Sequence, residues 1–208
     1  MFNGIINFTG KVSKIIFANK GSDLFIRSKI KFSKNDIGSS ISCDGVCLTA
    51  TKITKKEFNY YFSVNIGEET IKRSNLIHWD IGNKINIEKS LKVGDEISGH
   101  FVYGHVDTTL EVKNIKELKN SWEFEFSLSS INNFKNIKKL IVEKWSIAIN
   151  GISLTIANVN EKSFNVSIIP HTFQHTNLSI LKLNDLVNIE FDPLARYISE
   201  QYARWFIK

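Results

Sequence analysis

The chain has 208 residues, 42% of them hydrophobic, enough to bury a core as one large domain or as two small ones. Its net charge of +6 is weakly organised, since the lysines are scattered and Arg27, Arg73, Arg196 and Arg204 are the only arginines; this speaks against a nucleic-acid binder. Cys43 and Cys47 have no Cys or His partners at metal-ligand spacing, and neither a basic leader nor a run of about 18 apolar residues occurs. No metal centre, membrane contact or export signal is therefore expected, and the reading is a soluble cytoplasmic protein with reduced thiols.

Ile, Val, Phe and Thr are plentiful and Pro occurs twice, which predicts a mainly β protein. The N-terminal MFNGII opens the first copy of an internal repeat. Residues 40–50, SISCDGVCLTA, return as residues 146–156, SIAINGISLTI. In the same register Phe58-Asn59 answers Phe164-Asn165, Ser74-Asn75-Leu76 answers Thr176-Asn177-Leu178, and Asn86-Ile87-Glu88 answers Asn188-Ile189-Glu190. Gly4-Ile5-Ile6 aligns with Gly104-His105-Val106. One domain is thus expected over residues 1–98 and its copy over 99–195, without a flexible linker. A tail over 196–208 carries Tyr197, Ile198, Ala203, Trp205 and Phe206 among charges, the pattern of a short amphipathic helix that packs on another subunit.

Asp44-Gly45 and Asn150-Gly151 tolerate positive φ at both central positions of a type I′ turn, so each repeat is expected to hold a hairpin. That turn sets Ser42 opposite Cys47 and Ala148 opposite Ser153. Several short strands with turns every ~8–12 residues predict a small, closed antiparallel barrel in each copy.

Equivalent positions of the copies differ in chemistry: Cys47 against Ser153, Ile5 against His105, Glu69 against His171. Such differences suit two pockets with unequal duties, or drift between duplicates. Cys47 has the nucleophilicity of a thiolate or the role of a small core residue. His105 follows Gly104 in SGHFVYGHV, where glycine lets a ligand approach an imidazole, although most such histidines are structural. Asp192, at the end of a strand-like NIEFD, suits a general acid or base, or a turn. Thr49 and Thr155 offer hydroxyls to a polar heterocycle. Lys144 offers a cation to an anionic or carbonyl-rich ring.

MFNGII, the paired DGVCLT and NGISLT, SGHFVYGHVD and IPHT followed by TNL together resemble the riboflavin synthases built from two lumazine-binding repeats, over nearly the whole chain. The resemblance implies two tandem six-stranded antiparallel Greek-key β-barrels with a C-terminal α-helix, joined through that helix in a homotrimer. It implies conversion of two 6,7-dimethyl-8-ribityllumazine molecules into riboflavin and a ribitylamino-pyrimidinedione, without cofactor, at sites shared between neighbouring subunits. Substrate contacts would fall on Gly4, Ile5, Ile6, Cys47, Leu48 and Thr49, and on Asn65, Ile66, Gly67, Glu68, Glu69 and Thr70. Further contacts would come from Gly104, His105 and Val106, from Lys144, Ser153, Leu154 and Thr155, and from Ile169, Pro170, His171, Thr172, Phe173 and Gln174.

Chemistry would rest on His105, Ser40, Cys47, Ser153 and Asp192, with Phe2 as a wall for the ring. His171, Asn150 and Asn3 stand where the family usually has Glu, Asp and Thr. A non-catalytic lumazine or flavin carrier of the same double-barrel form is the alternative, disfavoured by Cys47, His105, Asp192 and the MFNGI run.

Overall fold

The computed structural model describes residues 1–18, 21–129 and 137–206. Both expected hairpins form. β3 (Ser40–Cys43) and β4 (Val46–Lys56) pair across Asp44-Gly45, with Ser42 opposite Cys47. β9 (Ser146–Ile149) and β10 (Ile152–Val159) pair across Asn150-Gly151, with Ala148 opposite Ser153. Asp44 and Asn150 each have φ 46°, and Gly45 and Gly151 have φ 78° and 75°, the two left-handed positions that a type I′ turn requires.

Around the first hairpin, β1 (Phe8–Ala18), β2 (Gly21–Ser28), β5 (Asn59–Ile66) and β6 (Lys84–Lys89) close a barrel in the order β1-β2-β5-β4-β3-β6. β7 (Thr108–Glu117), β8 (Trp122–Ser127), β11 (Ser163–Ile168) and β12 (Leu186–Phe191) close the second barrel with the same circuit. Bulges after Val12 and Ala50 recur after Val112 and Ile156, at matching places in the two copies. A bulge bends a strand and raises its twist, which is how so few strands turn back on themselves. A short helix, Glu68–Arg73, follows β5, and its counterpart Pro170–His175 follows β11.

Each barrel encloses its own apolar core. Phe62, Leu24, Ile26 and Ile87 fill the first; Phe124, Phe126, Phe164 and Ile189 fill the second. The segments ahead of the first strands cross over. Ile6 is buried in the core of the second barrel, whereas Val106 packs on the core of the first. Phe2 and Val102 meet where the segments pass, joined by reciprocal backbone hydrogen bonds of 2.6 and 3.1 Å.

A buried polar net with two-fold character joins the barrels. The Asn86 side chain accepts from the Asn177 amide at 2.8 Å and donates to the Asn150 carbonyl at 3.0 Å. Asn188 mirrors it, accepting from the Asn75 amide at 2.7 Å and donating to the Asp44 carbonyl at 2.9 Å. The Asn86 amide donates to the Asp44 carboxyl, and the Asn188 amide to the Asn150 side chain. Both asparagines are 1% exposed, so any lost partner would leave a buried group unsatisfied, at a cost of about 1–3 kcal/mol.

The C-terminal helix runs Pro193–Phe206, starting before the expected tail because the Asp192 carboxylate caps it, accepting from the Leu194 amide at 2.9 Å. Residues 207 and 208, and the side chains of Ala203 and Phe206, lie outside the described part of the structure.

Gly45 and Gly151 touch across the two-fold: a Cβ on Gly45 would lie 2.6 Å from the Gly151 nitrogen. Gly45→Ala is therefore expected to lower unfolding free energy by about 3 kcal/mol or more in urea titrations, combining left-handed strain with a backbone clash. Gly94 has φ 94° and open space around it, so Gly94→Ala should cost only the strain, about 1–2 kcal/mol. Equal losses would count against the contact.

Candidate functional site: two crossed pockets

Gly4 and Gly104 fix the crossing. Both have positive φ, 73° and 76°, and a Cβ on either would strike the opposite barrel, 2.7 Å from the Ser153 nitrogen or 2.8 Å from the Cys47 nitrogen. Only glycine lets the chain come this close. The Ser153 amide donates to the Gly4 carbonyl at 2.8 Å, and the Cys47 amide to the Gly104 carbonyl at 2.9 Å. Each hairpin strand is thereby extended by a segment belonging to the other copy.

The anchors are two carboxylates, Glu88 half-buried and Glu190 buried. Glu88 accepts from the Asn3 and Gly4 amides at 2.7 and 3.0 Å. Glu190 accepts from the Tyr103, Gly104 and His105 amides at 2.7, 2.8 and 3.1 Å. Burial pushes the Glu88 carboxyl up to about 7, opposed by its two amide donors and the N-terminal ammonium. Burial also raises Glu190, and its three amide donors oppose the shift. Both residues fall in the repeated Asn-Ile-Glu triplet, which by itself assigns them no task. The available signal was a glutamate repeated at the same place in both copies, next to buried isoleucines.

Crossing sorts the expected site residues into two groups. Cys47, Glu69, Thr70, Gly104, His105 and Val106 line one cleft of about 220 Å³ on the first barrel. His105 is exposed there, and its ring tilts against Tyr103 at 6.1 Å. Thr49 is exposed on the same strand as Cys47, whereas Leu48 turns into the core. Gly67 and Glu68 are exposed where the short helix begins, and Glu69 pairs with Arg73 at 2.6 Å. Asn65 is exposed and donates to Asp23, while Ile66 is buried.

The second group gathers on the other barrel. Gly4 presses on Ser153, Thr155 is exposed beside it, and Leu154 faces inward. Ile5 is exposed and Ile6 buried. Ile169 lies exposed between β11 and the helix that Pro170 starts, in which Phe173 stacks on Trp122 with centroids 4.0 Å apart. His171 stacks on His175 at 4.1 Å, and Thr172 accepts from the Thr176 hydroxyl at 2.7 Å. Gln174 borders a neighbouring cleft with Asn7 and Phe8. Lys144 is exposed, with φ 67°, and its amide donates to the Ile156 carbonyl at 2.9 Å.

Three expected residues do not line the 220 Å³ cleft. Phe2 is fully buried against Val102 and Ala148, with Cys47 packed on the same cluster, so it supports the first pocket from beneath. Ser40 lies opposite Thr49 at the start of β3, and its carbonyl accepts from the Ser90 hydroxyl at 2.6 Å. Asp192 caps the C-terminal helix. Among the described residues, no His, Cys, Asp and Glu group has the arrangement of a metal site, and no helix is long and apolar enough to span a membrane.

Residues 3–90 and 103–192 each match the lumazine-binding domain, the two barrels in turn. The chain is 38% identical to the riboflavin synthase of Brucella abortus (strain 2308) over 207 residues, 98% of this chain and 100% of that protein. The chain belongs to the riboflavin synthase family. A riboflavin synthase from Bacillus subtilis (strain 168) is 34% identical over 198 residues, 95% of this chain and 88% of its own. The fold recurs in LumP complexed with riboflavin, at TM-score 0.75 and 22% identity over 92% of this chain and 99% of that one. Within the riboflavin synthase family frame, the crossing means that each lumazine-binding domain is finished by residues numbered in its twin.

Because Glu88 takes up its proton on folding, stability it contributes is fully present below the unfolded value near 4.5 and fades as pH rises through about 7. The stability advantage of wild type over Glu88→Gln should therefore shrink by on the order of 2 kcal/mol between pH 5 and 8, read from urea midpoints. A constant difference would refute the buried-proton account.

Proposed function

We propose that the protein is a riboflavin synthase, a transferase catalysing the last step of riboflavin biosynthesis. It dismutates two molecules of 6,7-dimethyl-8-ribityllumazine by moving a four-carbon unit from one to the other, leaving riboflavin and 5-amino-6-(ribitylamino)uracil. The observation that carries the reading is the pair of crossed segments, Gly4 on Ser153 and Gly104 on Cys47, alike in backbone and unlike in chemistry, in a chain of this family. One substrate molecule loses a proton from its 7-methyl group to give a delocalised carbanion, and the other accepts a nucleophile at C7. The atoms of two substrates divide between two products without gain or loss, so the stoichiometry calls for no redox cofactor.

In this reading one ring rests against Cys47, Leu48, Thr49, Asn65 to Thr70 and Gly104 to Val106. The other rests against Gly4 to Ile6, Ser153 to Thr155 and Ile169 to Gln174, with Lys144 nearby. His105 moves protons in the first pocket, with Cys47 beside it and the Ser40 hydroxyl on the neighbouring strand, and Ser153 brings its hydroxyl to the second. Phe2 backs the ring through Cys47, and Asp192 supplies charge near the second pocket. Stacking two flat rings in fixed register contributes much of the acceleration by proximity.

Two observations support assembly as a homotrimer with sites shared between neighbours. The 220 Å³ cleft is smaller than the ~300–1,000 Å³ of ordinary ligand sites, so a second protein wall is needed to enclose a ring. The C-terminal helix exposes Leu194, Ile198, Tyr202 and Trp205 along one stripe, at 58–76% of their surface, an apolar face that calls for another subunit. The free thiols of Cys43 and Cys47 fit a cytoplasmic location.

Incubation with 6,7-dimethyl-8-ribityllumazine should yield one riboflavin for every two substrate molecules consumed, followed by fluorescence. His105→Gln should lower kcat by about 100-fold with little change in binding. Tight binding of the lumazine without riboflavin would instead support the carrier reading, and unchanged turnover in the variant would remove His105 from the chemistry.

A further inference from the structure

Ser153 has a partner that its counterpart Cys47 lacks. His100 lies in the segment leading into the second barrel, and its Nδ1 is 2.7 Å from the Ser153 hydroxyl oxygen. No side-chain hydrogen bond joins the Cys47 thiol to any described residue. His100 is set in place by its neighbour: the Gly99 amide donates to the Asn3 side chain at 2.7 Å, and a Cβ on Gly99 would come within 2.1 Å of the Asn3 carbonyl and 3.0 Å of the Ser153 oxygen. The backbone thus clamps the imidazole between the N-terminal segment and β10.

The other ring nitrogen is unusual. His100 Nε2 is shut off from solvent and has no hydrogen-bond partner among the described residues. Buried polar atoms are nearly always satisfied, and an exception at a functional site calls for a reason. If Nδ1 accepts from the Ser153 hydroxyl, the neutral ring carries its proton on Nε2, the tautomer that leaves Nδ1 free to take up another proton.

We propose that Ser153 and His100 form the proton-accepting pair of the second pocket, and that the lumazine bound beside Gly4 to Ile6 is the one that is deprotonated. This rests on the riboflavin synthase reading above. The 7-methyl C–H bond breaks, its proton passes to the Ser153 oxygen, and the hydroxyl's own proton passes to His100 Nδ1. The electron pair stays on the exocyclic carbon and spreads into the ring, while His100 becomes an imidazolium. Burial holds the His100 imidazole below its ordinary value, and the carboxylate of Asp192, the charged group that acts on it, opposes that shift and favours the imidazolium. Asp192 thereby gains a chemical part beside its capping one. Ser153 touches substrate; His100 acts through it as a positioning residue and proton sink.

The test follows exchange of the 7-methyl protons of 6,7-dimethyl-8-ribityllumazine with deuterium oxide by proton NMR, corrected for the enzyme-free rate. Wild type should accelerate exchange, with a rate that falls in acid as His100 becomes protonated. His100→Gln and Ser153→Ala should each reduce the enzyme-dependent rate by about 100-fold, and the His100→Gln profile should lose its acid limb. Riboflavin binding, measured by fluorescence quenching, identifies which variants keep a folded, ligand-competent site. His100→Asn provides a second, smaller replacement should the glutamine disturb the fold. Exchange within about twofold of wild type in any folded, riboflavin-binding variant would overturn the pair. A wild-type protein that binds the lumazine but neither exchanges its methyl protons nor forms riboflavin would overturn the functional reading itself.

Discussion

The rest of the structure hangs on the crossing of two short segments. The Gly4 carbonyl binds the Ser153 amide, and the Gly104 carbonyl binds the Cys47 amide, each at a distance that a side chain on the glycine would forbid. These bonds do more than join two barrels. They extend the hairpin strand that carries each pocket, and they bring Ile6 and Val106 into the cores of the opposite copies. Each barrel's core is thereby topped by a residue from the other copy, and each hairpin is met by the other copy's leading segment.

Beneath the crossing, the Asn86 and Asn188 net sets the barrels' relative position with directional contacts. Each hydrogen bond adds only about 0.5–1.5 kcal/mol net, but a broken one leaves a desolvated donor or acceptor at about 1–3 kcal/mol, so the net penalises slippage more than it rewards association. Its symmetry is imperfect around the first hairpin turn. Asp44 replaces the amide of Asn150, and its carboxyl, fully buried and raised by desolvation, also accepts from the Asn177 side chain at 3.1 Å. Even the scaffold distinguishes the two halves. The pockets do so more strongly: one offers a thiol with an exposed imidazole, the other a hydroxyl bonded to a shielded one. Chemistry that treats two identical molecules as donor and acceptor needs this inequality.

Much of the fold could be read from residues alone. Asp44-Gly45 and Asn150-Gly151 declared two type I′ hairpins, and the internal repeat declared two barrels, because turn chemistry and register are local properties of sequence. The number of strands and their circuit came only through family resemblance. The crossing was illegible for a physical reason: Gly4 and Gly104 align as equivalents within their own copies, and alignment cannot reveal that each packs on the other's hairpin. For the same reason Ile5 and His105 read as a contrast within one kind of site. In the structure His105 sits with Cys47 and Glu69, and Gly4, next to Ile5, presses on Ser153 of the other barrel. Glu88, Glu190 and His100 escaped notice as site residues because their importance lies in long-range contacts to backbone amides or to a hydroxyl more than 50 positions away.

The central claim is that one chain presents two separate, unequal places for the same heterocycle. Equilibrium titration with a ribityllumazine analogue that lacks the 7-methyl group, and so cannot turn over, tests this most directly. Two analogue molecules bound per chain, with distinguishable affinities, is the predicted result. Saturation at one molecule per chain would contradict it.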